Sequence, residues 1–106
     1  MVMKIESLEQ FKELINSSGV VVVQAWAASS GESAMMKRIY EKWANDFSGS
    51  LIFTEINADE QPEILEEIGV KTTPTYTAFR NGEKIKELVG GNAPALEGFI
   101  LSLFQR

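Results

Sequence analysis

The chain contains one run that restricts its fold more than any other, Val20 to Trp26, which reads VVVVQAW. It is short and β-branched, with apolar residues falling on both faces of an extended chain. Such a run belongs in the middle of a sheet that is covered on both sides. The next segment sharpens the expectation. Met35, Met36, Ile39, Tyr40, Trp43 and Phe47 recur at three- and four-residue spacing, so a long amphipathic helix is predicted, ended by Ser48-Gly49-Ser50. A second buried strand is predicted over 51–58, LIFTEINA. Strand, helix and strand make a βαβ unit, whose strands run parallel with a right-handed crossover.

The remaining elements extend this plan. MVMKI at the start suits a short edge strand in which Met3 and Ile5 alternate with polar neighbours. Ser7 followed by Gln10 is a capping-box pattern, and Leu8, Phe11, Leu14 and Ile15 share one helical face up to the stop at Asn16–Gly19. Pro62 suits the first turn of a third helix with Ile64, Leu65 and Ile68 inward and Gly69 as its stop. TYTAFR, Asn81-Gly82 and KIKELVG form a hairpin pattern, because Asn-Gly favours a type I′ turn. Pro94 then opens a last helix with Leu96, Phe99, Ile100 and Leu103 inward. The predicted order is βαβαβαββα, an α/β fold with a mixed sheet of about five strands and four flanking helices. With 106 residues the chain suits one domain, 1–106.

Composition removes several function classes. There is no cysteine, so disulfides, thiol chemistry and cysteine–zinc sites are excluded. There is no histidine, which removes the usual general base and the commonest transition-metal ligand. The net charge of −5 argues against a nucleic-acid partner. The N-terminus has no basic and apolar leader pattern, and no apolar run approaches a membrane span. A soluble, cytoplasmic domain beginning at its own initiator methionine is expected, as a monomer or at most a weak homodimer. Asp59, Glu60, Glu63, Glu66 and Glu67 read as a solvated helix face without defensible metal geometry.

These phrases together resemble the thioredoxin family over essentially the whole chain. The resemblance is carried by VVVQAWA running into a helix, INADEQPEILEEIGVKTTPTY, FRNGEKIKELVGG and the closing amphipathic helix. Its most specific part is VKTTPT at 70–75, where the family places a cis-proline facing the active site, here Pro74. The family's active-site motif is W-C-G-P-C. The same window here reads Ser29-Ser30-Gly31-Glu32-Ser33, with Ala34 where a Lys or Arg usually stands next. The family's buried Asp, which assists proton transfer, falls at Gln24.

The resemblance therefore implies a degenerate site. Disulfide exchange needs a thiolate nucleophile and a second thiol, and serine supplies neither. Serine becomes a nucleophile only beside an activating base, and neither a histidine nor a carboxylate at position 24 is present. Ser30 and Ser33 read instead as a helix start, assisted by Glu32. What the resemblance leaves available is a backbone groove for a protein or an extended peptide client. Thr73, Pro74, Gly90 and Gly91 would line it, with Met35 and Trp26 beside it and Trp43 in the core below. Met35 can be read as helix filler or as an adaptable contact surface. No cofactor and no metal are implied. Two other readings stand beside binding: a disulfide reductase whose two cysteines have been replaced by serine, and a serine-based enzyme lacking any evident base.

Overall fold

The computed structural model describes residues 2–104. Its element order is β1 (Met3–Lys4), α1 (Leu8–Ile15), β2 (Val20–Trp26), α2 (Gly31–Asp46), β3 (Ile52–Asn57), α3 (Pro62–Ile68), β4 (Thr75–Arg80), β5 (Glu83–Val89) and α4 (Ala93–Ser102). The five strands form one sheet in the order β1-β3-β2-β4-β5. β1, β3 and β2 run parallel, while β4 is antiparallel to both β2 and β5. This is the mixed, helix-covered sheet the sequence predicts.

The reason VVVVQAW takes the central position is visible in its burial. Val21, Val22 and Val23 are wholly inaccessible to solvent. Val20 and Val22 face a core built from Met36, Tyr40 and Ala44 of α2 and from Leu96, Phe99, Ile100 and Leu103 of α4 and its end. Val21 and Val23 face the other core, with Phe11 and Ile15 of α1 and Ile64 and Ile68 of α3. Each side chain of this kind stabilises by about 1.5–3 kcal/mol when taken fully out of water. A polar residue in either register would therefore be costly, and Gln24 is the one the strand carries.

Local signals place the turns. Asn81 and Gly82 both have positive φ, 53° and 81°, as a type I′ turn requires. Gly69 ends α3 in the left-handed region at φ 75°. Asp59, Glu60, Glu63, Glu66 and Glu67 are all exposed.

Four details differ from the sequence reading. The first strand pairs over only two residues, and Met3 is exposed while Ile5 is buried; Met1 lies outside the described residues. The strand predicted over 51–58 is Ile52–Asn57. Gln10 does not close a reciprocal box on Ser7: its Oε1 accepts from Glu6 N at 2.7 Å and its Nε2 donates to the Lys4 carbonyl at 3.2 Å, while its own N–H donates to Ser7 Oγ at 3.0 Å. The glutamine thus ties the helix start back to the end of β1. Finally, Trp43 is not in the core. It is partly buried at its edge, stacked on Phe47 at 5.6 Å, because its position on α2 faces the helix flank, not the sheet.

Candidate functional site

The site begins with the way α2 starts. Ser30 has extended backbone angles, φ −100° and ψ 113°, and its Oγ accepts from Ser33 N at 3.2 Å. Its carbonyl accepts from Ala34 N at 3.1 Å, closing the first helical turn. Glu32 lies in that turn, where a carboxylate complements the exposed N–H groups. The two serines have different surroundings. Ser30 is half-buried at the surface between exposed Ser29 and exposed Gly31, whereas Ser33 is wholly buried and its Oγ has no protein partner.

Beneath this turn lies a small polar layer inside an apolar core. Gln24 is 0% exposed and stands opposite Tyr76 across the β2–β4 ladder. Its Nε2 donates to the Tyr76 hydroxyl at 2.8 Å, and its Oε1 has no protein partner. Turning the amide over would only exchange which end is unbonded, since each end can reach the same single hydroxyl. Burial pushes the Tyr76 phenol up to about 12, against the lowering effect of the Gln24 bond; the charge of Glu32 adds to the rise. Tyr40, with its ring 5.6 Å from that of Tyr76, is also pushed well above the ordinary tyrosine value, first by burial. Its hydroxyl lies 2.7 Å from the Thr54 carbonyl and 3.0 Å from that of Val22, fastening α2 to β2 and β3. None of these groups is a base at neutral pH. A neutral amide and two protonated phenols cannot activate Ser30 or Ser33, and the layer is chemically inert.

On the other side of the helix start, loops from β4 and β5 supply backbone. The Thr73–Pro74 peptide bond is cis. Pro74 is buried and its carbonyl accepts from Gly90 N at 2.9 Å, while Thr75 Oγ1 donates to the Thr72 carbonyl at 2.7 Å. Gly90 has φ 104°, a conformation that favours glycine, and so turns the chain out of β5. Gly91 has no such requirement. The space a Cβ would need there is filled by Glu32, whose Cδ would lie 2.6 Å away and whose Cγ would lie closer still. One continuous set of contacts thus joins Ser30 and Glu32 on α2, through Gly91 and Gly90, to Pro74 and Thr73.

Trp26 and Met35 stand outside that set. Trp26 lies at the end of β2 with Lys37 Nζ 4.8 Å above its ring, and its Nε1 is buried without a protein partner. Met35 is 54% exposed on α2, in contrast to the wholly buried Met36. Two residues that matter here were not singled out from the sequence. Tyr76 was legible in principle, since it lies two residues after Pro74 in the first strand of the predicted hairpin. Lys37 pairs with Glu41 at 3.6 Å and Glu55 at 3.4 Å; the Glu41 pair follows from i,i+4 spacing on α2, whereas Glu55 and the Trp26 indole reach it only through the fold. An open cavity of about 370 Å³ lies nearby, lined by Pro62, Leu65, Gly69, Val70 and Lys71 among others; its last two residues lead directly into Thr72 and Thr73. Among the described residues no group of three acidic or other ligating side chains could hold a metal ion, and no helix is long and apolar enough to cross a membrane.

The thioredoxin family profile matches residues 2–102. Thioredoxin of Coprinus comatus is 32% identical over 101 residues, covering 94% of this chain and 95% of that protein. Thioredoxin of Equus caballus is 34% identical over 105 residues, covering 97% and 99%. The crystal structure of Malassezia sympodialis thioredoxin (Mala s 13) superimposes with a TM-score of 0.92 at 32% identity, over 96% of this chain and 90% of that one. Its sheet, its helices and its sequence together place this chain in the thioredoxin family.

Proposed function

We propose that the protein works by binding a protein or an extended peptide, without redox chemistry, in the groove between the start of α2 and the Thr73–Pro74 and Gly90–Gly91 loops. The observation that carries this reading is a contrast within the one site. The groups that would perform chemistry are absent: Ser30 and Ser33 stand at the two thiol positions, and a neutral, buried Gln24 stands at the position of the family's buried Asp. The groups that would bind an extended chain are backbone, and they are held in place by the Gly90–Pro74 hydrogen bond. Extended peptides are recognised by just such main-chain donors and acceptors, with side chains read at alternate positions. Thr73, half-buried, precedes the cis bond beside the groove.

The second reading, a disulfide reductase with cysteine replaced by serine at 30 and 33, accounts for two positions. It does not account for Gln24, Ser29, Glu32 or Ala34, which depart from the family pattern without touching sulfur. We therefore place the function in binding, in an adaptor, chaperone-like or regulatory capacity, with a cytoplasmic location and a monomeric state as parts of the same proposal. The test is partner capture with the chain as it stands and with Thr73→Trp, after circular dichroism has shown that both are folded. Loss of partners from the variant supports the groove; an unchanged set of partners places the binding surface elsewhere.

A further inference from the structure

Glu32 and Gly91 are linked in a way that neither explains alone. The backbone at 91 has an ordinary φ and would accept any residue, yet a Cβ there would collide with the Glu32 side chain. Glycine at 91 is what allows Glu32 to lie across the loop. The side chain so placed lies against Gly91, next to the Gly90–Pro74 hydrogen bond that borders the groove proposed above. It is exposed, and among the described residues it has neither a hydrogen-bond nor an ion-pair partner. Lys37, the nearest cation along α2, is engaged with Glu41 and Glu55. The N–H groups of the α2 start favour this carboxylate, and the chain as a whole, at −5, supplies no surplus of positive charge beside them.

A solvated carboxylate resting on glycine backbone is a poor neighbour for an apolar or acidic side chain, because an occupant would strip its water without replacing it. A lysine or arginine side chain replaces that water with charge-assisted hydrogen bonds. We propose that Glu32 is the specificity-determining residue of the groove and that the occupant is an extended segment presenting a lysine or arginine side chain to it. The inference rests on the groove-binding reading, and it adds the chemistry of the partner. Gly91 serves as a positioning residue, since it decides where the carboxylate lies.

The probe is a library of unstructured peptides in which one position is fixed in turn as Lys, Arg, Gln, Leu or Glu. It is panned against the full chain, against Glu32→Gln and against Thr73→Trp. The wild-type chain should enrich Lys and Arg at one position and lose this preference at high salt. Glu32→Gln should keep binding the neutral peptides while its affinity for the cationic ones falls by roughly 1.5- to fivefold, the range for a solvent-exposed charge pair. If peptides bind and Thr73→Trp abolishes binding, but no position prefers a cation, the groove stands and the role of Glu32 is overturned. If binding is the same in Thr73→Trp, the groove itself is wrong and the inference falls with it.

Discussion

The buried pair Gln24–Tyr76 lends itself to a stability experiment whose sign is unusual. In the native protein the pair makes one hydrogen bond, at 2.8 Å, and leaves Gln24 Oε1 with no protein partner. The bond contributes about 1 kcal/mol net, and the unpaired acceptor costs about 1–3 kcal/mol. Tyr76→Phe removes the bond and leaves both ends of the amide unbonded, so it should destabilise by about 2–3 kcal/mol. Gln24→Leu/Tyr76→Phe removes every polar atom of the pair, at a repacking cost below about 1.5 kcal/mol for side chains of similar volume. The double variant should therefore be more stable than Tyr76→Phe and come within about 1.5 kcal/mol of the wild-type chain or exceed it, a coupling expected only for residues in contact. Urea unfolding followed by tryptophan fluorescence and circular dichroism reads all four corners of the cycle, with equal m-values confirming a common unfolded state. A double variant less stable than Tyr76→Phe alone would refute the reasoning, showing that the polar layer is fully satisfied and contributes to the fold.

The same tyrosine has a pH signature. Because burial raises Tyr76 to about 12, the neutral phenol is the form the fold favours. Its contribution is therefore intact below the unfolded value of about 10 and is lost as pH rises from there towards 12. Phenolate absorbance should stay flat past about pH 10 in the folded chain and rise together with unfolding, whereas in urea both tyrosines should titrate near 10; phenolate forming near 10 with native circular dichroism would contradict it. Ser30→Ala removes the side chain that caps Ser33 N and should cost about 1 kcal/mol, with Ser30→Asp close to wild type, as read by thermal unfolding. Gly91→Ala should destabilise measurably in the native chain and almost not at all beside Glu32→Ala, giving a coupling of about 0.5–1 kcal/mol. Equal effects in both backgrounds would dissociate the two residues.

Much of the fold was legible because its signals are local. Four valines in succession can only be hidden at the centre of a covered sheet, and Asn81-Gly82 prescribes its turn through two positive φ values. The edge was less legible: with two paired residues, β1 lacks the length to impose alternation, and Met3 remains in solvent. Asn92, which caps α4 through a bond from Ala95 N at 2.9 Å, was overshadowed by the more conspicuous Pro94 two residues later. At the site, the positions of Ser30, Glu32, Thr73 and Pro74 came from the resemblance, but their energetics did not. That Ser33 is sealed away, that Gln24 is bonded to Tyr76, and that Glu32 rests on Gly91 all depend on cross-strand register and on loops meeting across the molecule, whereas the Ser30 cap is local. No spacing in the chain encodes those meetings.

If this site has left thiol chemistry, it has done so through changes around the serines as well as at them. The most direct test restores the sulfurs alone, as Ser30→Cys/Ser33→Cys, and measures turnover of a disulfide substrate with a thioredoxin reductase beside a family thioredoxin. Slow turnover is predicted. The Glu32 carboxylate, in the same first turn, disfavours a thiolate at 30, and the buried amide of Gln24 cannot take or return a proton at 33. Turnover at the rate of the family protein would contradict this, and would make the two serines the whole difference between this chain and a disulfide reductase.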